Sequence, residues 1–203
     1  MLDNQKVRSA AAGVVEPVAK FLLRLGLTAN HLTVITSMVS SLVAIWFWSR
    51  GEFAFGLLLG IPFVLGDLLD GTMARLSNSV SRFGGFLDSV MDRVTDASLL
   101  GALAFWAASG GRTWGLVGAL VSMGMGAVVP YARAKAESLG VSAKTGLMER
   151  SDRLVTLLIG AIAAALGFTS VLEGLLIFLA IATSFTVVQR VQAVRRGLAN
   201  EGQ

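Results

Sequence analysis

Six mostly apolar stretches near bilayer-crossing length, about 31–49, 53–76, 85–108, 112–138, 151–168 and 170–195, take up most of this 203-residue chain. A helix needs about 20 such residues to cross the hydrocarbon core, so each stretch reads as a transmembrane helix. The links between them, such as Ser49-Arg50-Gly51-Glu52 and Gly110-Gly111-Arg112, are too short to hold a second domain. Apolar side chains make up 54% of the residues and charged ones only 15%, where a soluble domain carries about 25%. Lipid is therefore the expected solvent. The expected fold is an all-α integral membrane bundle of six transmembrane helices in one domain, 1–203: a juxtamembrane helix within 1–27, the bundle over 31–196 and a tail, 197–203.

The sparse polar residues exclude several functions. With no cysteine and one histidine, His31, the chain can form neither a disulfide framework nor a thiolate or multi-histidine metal site. Its net charge of +4 comes from 17 basic residues spread between apolar runs, which fits membrane anchoring and not a nucleic-acid groove. No nucleic-acid partner is expected. Residues 1–20 lack an apolar core followed by a small-residue cleavage site, so no removable signal peptide is predicted. Over 5–25, Val14, Val18, Phe21, Leu22 and Leu25 share one helical face and Lys6, Arg8, Lys20 and Arg24 lie elsewhere, the pattern of a helix resting in the membrane interface. The alternative, an ordinary first span, requires that Gly26–Asn30 not break the helix.

If the N-terminus is cytoplasmic, 15 of the 17 basic residues fall on the cytoplasmic side, leaving Arg50 and Arg112 outside. The positive-inside rule then places both termini in the cytoplasm. Small residues at four-residue spacing, Gly56-x-x-x-Gly60 and Gly118, Ser122 and Gly126, predict close helix approach. Pro62 and Pro130 fall within spans and predict kinks.

Five of the 13 acids, Asp67, Asp70, Asp88, Asp92 and Asp96, gather at the end of the second span and the start of the third. Carboxylates beside lipid are costly unless neutralised. On helices turning about 100° per residue, Asp67 and Asp70 stand about 60° apart, and Asp88, Asp92 and Asp96 step by about 40°. The polar turn Ser77–Phe83 makes the two helices antiparallel neighbours, so the carboxylates converge towards the cytoplasmic interface. Oxygen donors alone suit Mg²⁺ or Mn²⁺, and four clustered anions favour two ions. Two alternatives remain at this point: Arg75, Arg82 and Arg93 pair with the aspartates to stabilise a helical hairpin, or the carboxylates form an ion pathway.

Gly71, Gly84 and Gly85 admit close approach of a bulky ligand, and Arg75 stands where it can meet a phosphate. The full string is Asp67-x-x-Asp70-Gly71-x-x-Ala74-Arg75, eight residues, then Gly84-x-x-x-Asp88-x-x-x-Asp92. It resembles the signature of the CDP-alcohol phosphotransferase family of membrane enzymes, with every specified residue present. The resemblance implies transfer of a phosphate-linked group from a CDP-alcohol to an acceptor hydroxyl, with release of CMP. It further implies that Asp67, Asp70, Asp88 and Asp92 hold two divalent ions, that Asp92 is the general base, and that Gly71, Ala74, Arg75 and Gly84 receive the CDP moiety. Family members commonly carry Pro-Asn-x-x-Thr ahead of the first span. Here Ala29 replaces the proline, while Asn30, read also as the helix N-cap, and Thr33 are retained for the nucleotide. His31 reads as an interfacial residue, and Asp96, outside the signature, as a second-shell or helix-pairing residue.

The acceptor is read from basic helix ends. Tyr131-Ala132-Arg133-Ala134-Lys135-Ala136-Glu137 and Gly146-Leu147-Met148-Glu149-Arg150-Ser151-Asp152-Arg153 resemble stretches in the actinobacterial, inositol-phosphate-using branch of the family. The resemblance implies CDP-diacylglycerol as donor, myo-inositol 1-phosphate as acceptor and phosphatidylinositol phosphate as product. Lys135, Arg153 and Arg195, with Arg133 nearby, are the expected acceptor-phosphate ligands, whereas Arg150 can instead pair with Glu149 or Asp152. The runner-up acceptor is glycerol 3-phosphate, as in a phosphatidylglycerol phosphate synthase, and an ion-coupled transporter is the alternative from another class. Small-residue helix faces and the resemblance favour a homodimer among membrane lipids.

Overall fold

The computed structural model describes residues 15–64, 66–143 and 145–201, with the side chains of 64, 67, 68, 200 and 201 also outside the described set. All the regular structure among them is helical. Helix α1 covers 15–24. It is followed by α2 (Ala29–Phe47), which ends in a 3₁₀ turn Trp48–Arg50, then α3 (Phe53–Val64), α4 (Gly66–Leu76), α5 (Arg82–Ser109), α6 (Thr113–Ser138), α7 (Arg150–Ala165) and α8 (Thr169–Glu201). The chain divides into two compact units, one of residues up to Val43 with Leu58–Thr95, the other of Ala44–Leu57 with Asp96 onwards.

In the first unit, α1 ends at Gly26, whose φ of 81° is left-handed. The Gly26 N–H donates to Leu23 O and the Leu27 N–H to Leu22 O, which closes the helix in a Schellman turn. The predicted break is therefore present. Thr28, not Asn30, caps α2: its Oγ1 accepts the His31 N–H at 3.2 Å. The predicted cap is two residues too late, and Asn30 lies inside the first turn of α2. Of the residues named for the interfacial helix, Val14 of the apolar face and the basic Lys6 and Arg8 are outside the described residues. The helix packs with Ala19, Leu22 and Leu23 on Ala29, Leu32 and Met73. Val18, Phe21 and Leu25 are exposed. The apolar surface of α1 is thus wider than one stripe, with one part against protein and the rest outward.

The predicted 53–76 span holds α3 and α4, described on either side of residue 65, which is itself outside the described residues, with Pro62 inside α3. Gly66 opens α4 against Thr36, where no Cβ would fit. The turn from α4 to α5 closes as α1 does, with Asn78 at φ 51° in the left-handed position, its N–H donating to Arg75 O and the Ser79 N–H to Ala74 O. Among the described residues, five glycine-ended turns use the same pair of bonds, at Gly26, Gly51, Gly111, Gly140 and Gly167. This closure needs few residues, which is why the links are short.

The second unit holds the larger core, with Trp48, Phe53, Leu103, Trp106, Leu172 and Leu176 among its buried members. Phe53 meets the Trp106 ring edge-on, with centroids 5.2 Å apart. The Gly118–Ser122–Gly126 stripe lies where α6 meets its neighbours. A Cβ on Gly118 would come within 2.8 Å of the α8 backbone at Leu176, and Ser122 Oγ donates to Leu176 O. Gly56 packs on the Trp48 indole with no room for a Cβ, while Gly60 makes ordinary contact with Val43.

Three helices among the described residues are long and apolar enough to cross a membrane: Ala29–Arg50, Thr113–Ser138 and Thr169–Ala199. Helix α5 has the length, but its first half carries Asp88, Asp92, Arg93 and Asp96. The 16 residues of α7 rise only about 24 Å. Large apolar side chains such as Leu42, Trp46, Leu58, Phe105, Trp114 and Ile181 point outward. That exterior suits lipid as solvent.

Candidate active site

The first unit encloses a cavity of about 260 Å³ built from three helices. Asn30 and Thr33 of α2, Asp70, Gly71 and Ala74 of α4, and Gly84, Gly85 and Asp88 of α5 line it. Each stands where the helical repeat turns it to one side: 30 and 33, 70 and 74, and 84 and 88 are one turn apart. The α4–α5 turn adds Ser79 and Ser81, which the sequence reading did not single out. Ser81 Oγ accepts the Gly84 N–H at 3.0 Å and so caps α5. A Cβ on Gly84 would sit 3.2 Å from both Asn30 Oδ1 and Ser81 Oγ. Glycine here keeps the helix entrance open beside the asparagine.

Asp70 is buried, and its Oδ2 accepts a 2.6 Å hydrogen bond from Thr33 Oγ1. This bond ties α2 to α4. Arg75 does not line the cavity. Its Nη2 donates to Thr72 Oγ1 at 2.9 Å and its Nη1 lies beside Gly71. Asp92 follows Asp88 by one turn on α5, with Arg93 Nη2 at 3.5 Å from its Oδ2. The Asp67 side chain lies outside the described residues. Among the described residues, no three carboxylates or imidazoles come together closely enough to enclose a metal ion. Asp70 and Asp88 nevertheless share one cavity wall, and an all-oxygen donor set fits a hard divalent cation.

Basic residues gather separately in the second unit. Arg153 is 3% exposed, and its Nη2 donates to Asp96 Oδ2 at 2.7 Å. Arg150 Nε is 3.4 Å from Asp96 Oδ1, so Arg150 pairs with α5. Asp152 accepts the Glu149 N–H at 2.9 Å, capping its own helix. Arg133 bonds Glu137 at 3.0 Å, and Lys135 is exposed. Arg195 is exposed near the end of α8.

Sequence reasoning missed Arg190. It is 4% exposed, and its Nη1 and Nε donate to the carbonyls of Val129 and Thr145 at 2.6 and 2.9 Å. The charges of Arg133 and Arg153 are near enough to act on it. Its neighbours Thr186 and Gln189 hold the α6–α7 loop by accepting the N–H groups of Met148 and Leu147. The signal was available: Thr186, Gln189 and Arg190 form a polar stripe at helical spacing within an otherwise apolar span.

These features define a helical membrane protein with a carboxylate-walled cavity and a buried basic cluster. The sequence matches the CDP-alcohol phosphatidyltransferase family over residues 26–188. It is similar to the phosphatidylinositol phosphate synthase of Streptomyces avermitilis, 37% identical over 201 residues, covering 95% of this chain and 82% of the relative. The synthase of Mycobacteroides abscessus is 37% identical over 190 residues, covering 93% and 86%. A crystal structure of the Mycobacterium tuberculosis synthase with CDP-DAG bound superposes with a TM-score of 0.84 at 32% identity, covering 90% of this chain and 94% of that one. Another, in complex with manganese and citrate, has the same TM-score and identity, covering 89% and 88%. The chain belongs to the CDP-alcohol phosphatidyltransferase family and is a CDP-alcohol phosphotransferase. Its relatives here are phosphatidylinositol phosphate synthases, and family membership displaces the transporter reading.

Proposed function

We propose that this enzyme transfers the phosphatidyl group of CDP-diacylglycerol to myo-inositol 1-phosphate, giving phosphatidylinositol phosphate and CMP. The observation that carries this reading is the cavity on which residues of the signature converge from α4 and α5, joined by Asn30 and Thr33 of α2, with Asp70 and Asp88 on its wall. The names of the relatives, and the CDP-DAG bound to one of them, support the donor and the product.

Asn30, Thr33, Gly71, Ala74 and Gly84 receive the nucleotide, and Arg75 swings from Thr72 to its phosphates. Asp67, Asp70, Asp88 and Asp92 would hold two Mg²⁺ or Mn²⁺ ions, the bound manganese of a relative being consistent with that choice. When bound, such ions neutralise the diphosphate and favour departure of CMP. Asp92 takes the proton from the acceptor hydroxyl as its oxygen attacks the lipid-bearing phosphorus. The bond from that phosphorus to the bridging oxygen breaks, and the electron pair leaves on CMP.

Arg153, Lys135, Arg133 and Arg195 were expected to bind the acceptor's phosphate. Burial adds Arg190 to Arg153, because guanidinium groups held in place by hydrogen bonds lose little freedom on meeting an anion. The chain spans the membrane six times with both termini and the active site cytoplasmic, lies with α1 in the interface, and works as a homodimer. The test is CMP release by purified protein given CDP-diacylglycerol, Mg²⁺ and, in separate reactions, inositol 1-phosphate, inositol or glycerol 3-phosphate. Release with inositol 1-phosphate is expected; no release with any acceptor refutes the reading.

A further inference from the structure

Asp96 follows Asp92 by one turn on α5 and lies outside the family signature, yet it pairs with two arginines. Its side chain is only 12% exposed, and its two oxygens are divided between two arginines of α7, Arg153 Nη2 at 2.7 Å and Arg150 Nε at 3.4 Å. Arg153 is itself buried, with its guanidinium alongside Gly126 of α6. A buried guanidinium without an anion is costly. With one anion on one nitrogen, the planar fork has a fixed direction, and its remaining donors face a set way.

We infer that Asp96 is a positioning residue for the acceptor: it holds Arg153 in the orientation that receives the acceptor's phosphate and lowers the repulsion between Arg150 and Arg153, one turn apart on α7. This rests on the reading of Arg153 as an acceptor-phosphate ligand. Asp96 touches neither substrate and acts only through the arginines. One carboxylate against two guanidinium groups leaves a net positive charge for a phosphate monoester. The short bond to Arg153 and the long one to Arg150 make Arg153 the residue whose direction is set. An acceptor without a phosphate gains nothing from this arrangement, so the contribution of Asp96 is confined to phosphorylated acceptors.

The test uses the full-length enzyme with Asp96→Ala, Asp96→Glu, Arg153→Ala and the Asp96→Ala/Arg153→Ala double variant. The readouts are KM for acceptor and donor, kcat and the thermal midpoint in detergent. The wild type is first assayed with inositol 1-phosphate and glycerol 3-phosphate; if it uses neither, the functional reading itself fails, and this inference with it. With a phosphorylated acceptor in use, Asp96→Ala is expected to raise acceptor KM about ten-fold or more while donor KM stays within about two-fold. Asp96→Glu, which keeps the charge, restores most of the loss. The double variant matches Arg153→Ala within about two-fold, as expected of a residue acting through another. An unchanged or lower acceptor KM in Asp96→Ala overturns the inference, the latter because the carboxylate would then be competing with phosphate for the arginines. Additive effects in the double variant also overturn it. Should Asp96→Ala fail to fold, Asp96→Asn, which keeps the shape and removes the charge, decides: a lowered thermal midpoint with unchanged acceptor KM marks a purely structural ion pair and refutes positioning.

Discussion

Asp70 is buried and accepts a short hydrogen bond from Thr33, which sits 37 positions earlier in the chain. A carboxylate placed there needs donors, and Thr33 supplies one from another helix. Thr33→Val removes that donor while keeping the shape, so it should cost about 1–3 kcal/mol of stability and raise donor KM. A variant unchanged in thermal midpoint and donor KM would contradict this role. Asp92→Asn should lower kcat by about 10²–10⁴-fold with the fold intact, as measured by CMP release beside the thermal midpoint. Retained turnover would move the base elsewhere. At this scale the signature was legible because helical spacing puts its residues on shared faces: Asp70, Gly71, Ala74, Gly84 and Asp88 all line the cavity. What was not legible is the rotation of a nearly uniformly apolar helix. Arg190 and Arg195 differ by five residues, about 140° around α8, and the one sequence mark on the buried Arg190 is the polar stripe it shares with Thr186 and Gln189.

Among elements, the short links and the small-residue stripes determine how closely helices pack. Gly118 is the tightest point between α6 and α8, because the atoms facing it are backbone and cannot move aside. Gly118→Leu should lower the thermal midpoint in detergent, by an overpacking cost of about 1–3 kcal/mol or more, while Gly124→Ala, with open space around it, should not. Equal midpoints would show that this approach is not tight. The cap of α2 at Thr28 instead of Asn30 escaped the sequence reading because both residue types cap well. That shift matters for the site, since Asn30 then presents Oδ1 to Gly84 and not to its own helix.

For the whole molecule, the distribution of charge is the strongest statement the sequence makes about orientation, and the lack of cysteine makes it testable without background. A membrane-impermeant maleimide should label Ser109→Cys in intact cells, and Ser138→Cys, at the other end of α6, only after lysis. The opposite pattern would invert the topology. Residence in lipid was legible from composition, and three of the expected spans match helices that are long and apolar enough to cross a membrane among the described residues. Charge in the first half of α5 and the short α7 keep both below the threshold that three other helices reach. Polar residues that build a site necessarily weaken the apolar signal of the helices carrying them.

The enzyme's chemistry is tested most directly by competition between acceptors. Purified protein is given CDP-diacylglycerol and Mg²⁺ with inositol 1-phosphate and glycerol 3-phosphate together at equal concentration, and the lipid product is identified by mass. The expected product is phosphatidylinositol phosphate, formed in equal amount to CMP. Phosphatidylglycerol phosphate as the main product, or lipid formed without CMP, would contradict the account.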